Sequence, residues 1–306
     1  MTITNYPNGI SSFGMPLIGS TTGAVWFVDD SGSNGNSGTD SDNPFADIDY
    51  AIGRCTANKG DVIIVMPGHT EDIATTGGIT LDVAGVKIIG LGSGGDRPAI
   101  TFSATDSTFA ITKASCTIRN IVFQAAVAEV VVGITLVAAA DYTSFEAIES
   151  YEGATAGTYN FVDVITLATG VDHISFKDCR FIGNDTNNDY FVSGVAHNGF
   201  IAENCIFYSN VGQATPAGLL YASGNVTNIR IKNCDFRSNV DDAVHINFAG
   251  AACTGTISRC NFSSIDTTGA ISAGTDATGA HFFECYFDGT ADAYGVVGGG
   301  SGAAYS

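Results

Sequence analysis

The sequence predicts an all-β chain wound as a right-handed parallel β-helix, a solenoid with an N-terminal arm and a capping helix. Three observations predict it. A short motif recurs at a period of 25 to 30 residues, short apolar strands fall between its copies, and long amphipathic helical stretches are absent.

The motif places a polar residue, then Cys, then any residue, then Phe. It occurs as TIRNIVF (117–123), SFKDCRF (175–181), IAENCIF (201–207), RIKNCDF (230–236), TISRCNF (256–262) and HFFECYF (281–287), with Ile121 in the Cys slot of the first. Cys179, Cys205, Cys234, Cys260 and Cys285 follow one another at steps of 26, 29, 26 and 25. Ile121 lies 58 residues before Cys179, two steps of 29, so a degenerate copy belongs between them. SFEAIES (144–150) fills that place, with Ile148 in the slot.

Between the motifs, apolar strands are expected at 161–167, 190–195, 218–222, 243–248 and 270–273. Two or three strands per coil of about 27 residues, with no helix between them, describe a parallel β-helix rather than a leucine-rich or helical repeat. Coils stack at about 4.8 Å, so equivalent residues lie over one another and the Cys and Phe rows fill the interior. Asn120, Asp178, Asn204 and Asn233 stand just before the slot, where a turn tolerates Asn and Asp. No CxxC pair exists among the 8 Cys, so no zinc site is expected. The stacked five are read as reduced, buried thiols, because β-carbons about 4.8 Å apart exceed the usual disulfide spacing.

The N-terminal part differs. AVWFVD (24–29) reads as a strand, and a loop rich in Asp, Ser, Gly and Asn runs on to Asn43. A helix is expected over 44–58, capped by Asn43, with Pro44 in its first turn and Asp47 and Asp49 facing its dipole. Its apolar stripe is Phe45, Ile48, Ile52 and Cys55, and Asn58-Lys59-Gly60 ends it. Such a helix would cover the first coil, which DVIIVM (61–66) and VKIIGL (86–91) begin. The expected organisation is therefore an arm (1–23), a capping strand and helix (24–60) and the β-helix (61–306).

The formal charge of −19, with 31 acids against 12 bases, excludes a nucleic-acid partner, since no basic stripe faces phosphate. MTITNYPNGI (1–10) lacks the charged start and apolar core of a secretory signal. The most apolar run, 125–140, is interrupted by Glu129 and falls short of the roughly 20 residues of a membrane span. Synthesis in the cytoplasm is expected, without a membrane partner. Asn184, Asn225 and Asn261 match the glycosylation pattern, but without a secretory route the matches carry little weight.

The order WFVDDSGSNGNSGTDSDNPFADIDYAI (26–52), KGDVIIVMPGHTE (59–71), GVKIIGLGSGGDRPAI (85–100) and IRNIVF (118–123) resembles the pectate-lyase-like β-helix family over residues 24–306. With NYPNGISSFGMP (5–16) in front, the chain is similar to small β-helix proteins encoded among bacteriophage head genes. That resemblance implies a virion component on the capsid surface, a decoration or cement protein. Its expected partners are the major capsid protein and further copies of itself in a homotrimer. The alternative is a tailspike or head fibre that binds or cleaves host surface polysaccharide.

Polygalacturonase-like members of that family need two carboxylates, one as acid and one activating water. Asp241 and Asp242 with His245, in VDDAVHI (240–246), are the one resembling cluster, but Arg-Ile-Lys (230–232) precedes it instead of following. Gly-His occurs only at Gly68-His69, and adjacent acids on a strand point to opposite faces. The three residues are read as a turn and strand start, and the chain is expected not to be an enzyme. Lyase-like chemistry needs calcium-binding acids beside Arg and Lys; Arg180, Arg230, Arg237 and Arg259 are expected on separate coils. DSGSNGNSGTDS (30–41) has Gly32 and Ser41 where a calcium loop wants carboxylates, so it reads as a flexible surface loop. No metal or cofactor is expected. Trp26, Tyr190, Phe191, Tyr208 and Tyr221 suit a core or a subunit interface better than a sugar platform. Attachment is assigned to the arm through Tyr6, Pro7, Phe13, Met15, Pro16, Leu17 and Ile18, which is extended enough to reach about 70 Å.

Overall fold

A computed structural model describes residues 11–12, 15–16, 23–152, 159–183, 190–209, 219–239, 245–248, 252–264, 275–277, 279–289 and 295–297. They wind into a right-handed parallel β-helix with three long sheets. Sheet I runs from Val25–Val28 and Val62–Val65 through Thr117–Arg119 to Ala280–Phe283. Sheet II runs from Thr70–Ile73 to Cys285–Gly289, and sheet III from Ile79–Leu81 to Thr275–Ala277. Pairing is parallel and in phase, so one row of sheet I reads Lys87, Thr117, Ser144, Ser175, Ile201, Arg230, Thr256, His281.

The recurring motif is the corner between sheets I and II. In each copy the residue before the slot turns the chain with φ between 51° and 56°, at Asn120, Ala147, Asp178, Asn204, Asn233, Arg259 and Glu284. Asn and Asp enter this left-handed region at least cost among residues with a side chain, which accounts for four of the seven. The corner side chains also form a ladder: Asn204 Nδ2 donates to Asp178 Oδ1 (3.0 Å) and Asn233 Nδ2 to Asn204 Oδ1 (3.2 Å).

Past the corner, the slot residue and the Phe point inward. Phe181, Phe207, Phe236 and Phe262 stack face to face with centroids 4.9 to 5.1 Å apart. The expected degenerate coil is present, as Ser144–Glu146 and Glu149–Tyr151 flank Ala147, with Ile148 buried. Cys179, Cys205, Cys234, Cys260 and Cys285 are free and buried. Hydrogen bonding to the Cys179 and Cys234 thiols, then burial, pushes the Cys205 thiol far above its ordinary range. On sheet III the strands Phe161–Leu167, Tyr190–Gly194, Leu220–Ala222 and Ile246–Phe248 match expectation. The last is Thr275–Ala277, while 270–273 lie outside the described residues.

The cap departs from the expected helix. Helix α1 is only Ile48–Ile52, with Asp47 at its N-cap, and Asn43 Nδ2 donates to Asp40 Oδ1 (2.9 Å) rather than its side chain capping α1. The reason is competition from the sheet. Phe45 N–H donates to Phe27 O (2.8 Å) and Asp29 N–H to Phe45 O (2.9 Å), so the Pro44–Phe45 stretch covers the free edge of Val25–Val28. Phe45, Ile48 and Ile52 are still buried, as the stripe requires, and Cys55 is half-buried. The arm is not fully extended either: Ser11–Ser12 pairs antiparallel with Met15–Pro16, which shortens its reach. At the other end, Gly295–Val297 pairs antiparallel with Cys285–Gly289. Among the described residues, no helix is long and apolar enough to cross a membrane.

Candidate functional site

Asp241 and Asp242 lie outside the described residues. His245 is fully buried between the rings of Phe236 and Phe262, with its Nε2 3.0 Å from Ser263 O. Burial pushes its pKa down to about 4, so the ring is neutral and belongs to the core. Of the proposed attachment residues, Met15 and Pro16 fall in the short hairpin; Tyr6, Pro7, Phe13, Leu17 and Ile18 lie outside the described residues.

The aromatic candidates separate. Phe191 is core, and Trp26 is half-buried with its ring 5.6 Å from that of Phe45. Tyr190 and Tyr221 stack on each other on the outer face of sheet III, 4.6 Å apart and 18° from parallel. Their facing surfaces are thereby occupied by each other, which removes the flat platform a sugar ring would need. Tyr208 Oη accepts from Asn239 Nδ2 (3.1 Å).

The bases are drawn to acids on the outer faces. Arg97 Nη1 meets Glu149 (2.9 Å), which Arg180 also approaches (3.8 Å), and Arg230 pairs with Glu203 (3.3 Å) and Arg259 with Glu284 (2.8 Å). Arg230 and Arg237 share one coil, on sheets I and II, contrary to the expected separation. The sequence distance of seven residues spans a corner, not a full turn.

The loop over 30–41 is also tied down rather than loose. Asp30 Oδ2 accepts from Thr70 Oγ1 (3.0 Å), Asn34 Oδ1 from Ala46 N–H (3.1 Å), and Asp40 Oδ1 from Asp42 N–H (3.1 Å). Together with α1 and Thr70–Ile73 it builds a cleft of about 600 Å³ that sequence reasoning did not find, lined by Asp30, Asn34, Asp47, Asp49, Tyr50, Glu71 and Asp72 among others.

Glu71 is the central group. It sits in the inward row of sheet II, opposite Ile100, where later coils place Phe. An inward carboxylate is tolerated there because Ile48 N–H, in the first turn of α1, donates to its Oε2 (2.9 Å), and His69 Nε2 lies 3.2 Å from the same atom. Asp49 Oδ1 likewise accepts from Thr80 N–H (2.9 Å). Most lining acids thus fasten the cap to the first coil, leaving an acidic rim without a basic residue in the lining. The acids come from three separated segments, and no spacing rule links them. The one sequence signal was the acidic run behind Gly68-His69.

No family model matches the chain, and no curated protein matches it. Among solved structures it is similar to a rhamnogalacturonan lyase (15% identity, TM-score 0.44, covering 80% of this chain and 74% of that one). It is similar to the pectate lyase Pel9A (14%, TM-score 0.47, 88% and 78%). It is also similar to a GH136 lacto-N-biosidase from Eubacterium ramulus (9%, TM-score 0.37, 86% and 67%). The expectation that the chain is not an enzyme is corrected here. Two of these structures are polysaccharide lyases by name, so the architecture gives no ground for that expectation. The likenesses bear on fold alone: the chain is a right-handed parallel β-helix.

Proposed function

We propose that this protein is a bacteriophage virion component that decorates or cements the capsid surface as a homotrimer bound to the major capsid protein. The supporting observation is the closure of two of the rod's strand edges. The first strand of sheet I is hydrogen-bonded along its outer edge by Gly38 and Phe45, and the last parallel strand of sheet II is followed by an antiparallel one. Exposed edges template further strands. A rod with covered edges stays a discrete unit, as a decoration occupying defined sites must. The resemblance of residues 5–16 to phage head β-helix proteins supports the same reading, and the arm supplies attachment through Tyr6, Pro7, Phe13, Met15, Pro16, Leu17 and Ile18. The test is addition of the chain to undecorated heads. Many copies per head, lost on deletion of residues 1–20, are expected; a few copies confined to the tail would overturn the reading.

The acidic cleft favours a second reading, a spike that binds or cleaves host polysaccharide. Glu71 is then the carboxylate at work, beside Tyr50. Incubation with host capsular or cell-wall polysaccharide would release reducing ends, and Glu71→Gln would abolish the release while keeping the acceptor for Ile48 N–H. Release unaffected by Glu71→Gln, or none at all, sinks this reading.

A further inference from the structure

The corner at which sheet III passes into sheet I repeats one backbone state. Two residues ahead of the row Lys87 to Arg230 in sheet I stand Gly85, Ser115, Tyr142, His173, Gly199 and Asn228, all with φ between 54° and 80°. The row is tied from coil to coil, since Tyr142 N–H donates to Asp172 O (3.0 Å) and His173 N–H to Asn198 O (2.7 Å). Glycine and asparagine meet this left-handed state at least cost, whereas an aromatic side chain strains the backbone there. Tyr142 and His173 bear that strain without a gain in the core, because Tyr142 is 59% exposed and His173 only half-buried. Strain kept for an outward ring marks a place where the ring meets something else.

We propose that Tyr142, braced by His173, is a stacking platform for an uncharged hexopyranose unit of a glycan. The two rings lie 4.6 Å apart and 12° from parallel. His173 in turn lies against Gly199, where a β-carbon would come within 2.5 Å of its Nδ1, so the pair is fixed from that side. The opposite face of Tyr142 looks along the row to Ser115 and Gly85, whose side chains are too small to cover a phenol ring. The Tyr190–Tyr221 pair differs, since both rings are only half-exposed and Asp163 and Asn247 flank them in register. Tyr142 thus offers the flat apolar surface on which the C–H face of a sugar packs, held in place before the ligand arrives. Two carboxylates stand beside it. Asp141 Oδ1 accepts from Asp172 N–H (2.8 Å) and Asp172 Oδ1 from Asn198 N–H (2.9 Å), which fixes both groups and leaves each Oδ2 to accept from a sugar hydroxyl. Among the described residues no base pairs with either acid, so a uronate or a phosphate would be repelled. The site shares no residue with the acidic cleft and rests on neither reading of the protein's role.

Saturation-transfer difference NMR on the full chain reads the site, with hexamers of glucose, mannose, galactose and N-acetylglucosamine as probes and hexagalacturonate as the charged control. At least one of the four neutral hexamers should receive magnetisation on its ring C–H protons, and hexagalacturonate none. Tyr142→Asn suits the left-handed backbone, so it should keep or raise the melting temperature while weakening binding about tenfold or more. Tyr142→Phe keeps the ring and should hold affinity within about threefold. Asp141→Asn retains the acceptor for Asp172 N–H and should relax the exclusion of hexagalacturonate. Signal from none of the four hexamers, or signal that survives Tyr142→Asn, overturns the proposal. So does a clear fall in melting temperature for Tyr142→Asn, which would show that the ring serves the fold. An oligomer that dissociates on the same change also overturns it, by placing a second copy on the ring. Head binding and reducing-end release test the two functional readings separately, so each can fail alone.

Discussion

Phe236 lies between Phe207 and Phe262 at 4.9 Å on both sides and is fully buried. Phe236→Ala removes a ring whose neighbours are held by their own coils, so the cavity cannot collapse, and the loss should be about 3–5 kcal/mol. A urea midpoint shift at constant slope measures it. His245 packs on the same two rings. Unfolded, it titrates near its ordinary 6.5; folded, near 4. Between these values the unfolded chain binds the proton and the folded chain does not, so stability falls as pH drops from about 6.5 to 4. The full difference is about 3 kcal/mol. His197, lowered first by desolvation, acts in the same direction. His245→Phe should remove most of this acid sensitivity if the ring fits; an unchanged pH profile would show the imidazole to be elsewhere. The stacked thiols should react with a thiol reagent only after unfolding. Cys55, pushed up to about 12 by burial and by Asp61, should be slow as well.

At the scale of elements, the corner between sheets I and II is where the sequence is most legible. The left-handed φ favours Asn and Asp, the next position must be small and inward, and Phe must follow one residue later; three constraints repeat together. Asn204 and Asn233, at φ 56° and 53°, should tolerate Gly with a change of a few tenths of a kcal/mol, whereas Asn204→Val should cost about 1–2 kcal/mol from strain and the lost ladder bond. The cap was illegible for the opposite reason. Pro44 and Phe45 look like a helix start locally, but their backbone pairs with a strand far back in the chain, and local propensity does not report such a partner. The same holds for Glu71. In sequence it is one acid in an acidic run, and only the fold shows that it faces inward and accepts from α1. Glu71→Ala should cost about 1–3 kcal/mol by leaving Ile48 N–H unpaired, whereas Glu71→Gln keeps most of that bond.

Across the whole molecule, the acids outnumber the bases by 19, and bases on the outer faces are paired with acids along the rows. The remaining negative charge repels itself along the rod. Raising salt from about 0.01 M to 0.15 M shortens the Debye length from about 30 Å to 8 Å, so thermal stability should rise with ionic strength. A fall would mean that the ion pairs, and not the unpaired acids, dominate the field.

In-phase pairing also makes length a discrete variable. Because Ile229 lies opposite Gly255 in the same row, residues 229–254 are one repeat unit whose two ends meet the same neighbours. Copying that block in tandem should extend the protein by about 4.8 Å per copy and leave both termini in register with each other. The chain is in this sense a graduated ruler, and selection on such a gene can set a distance by counting units instead of reshaping surfaces.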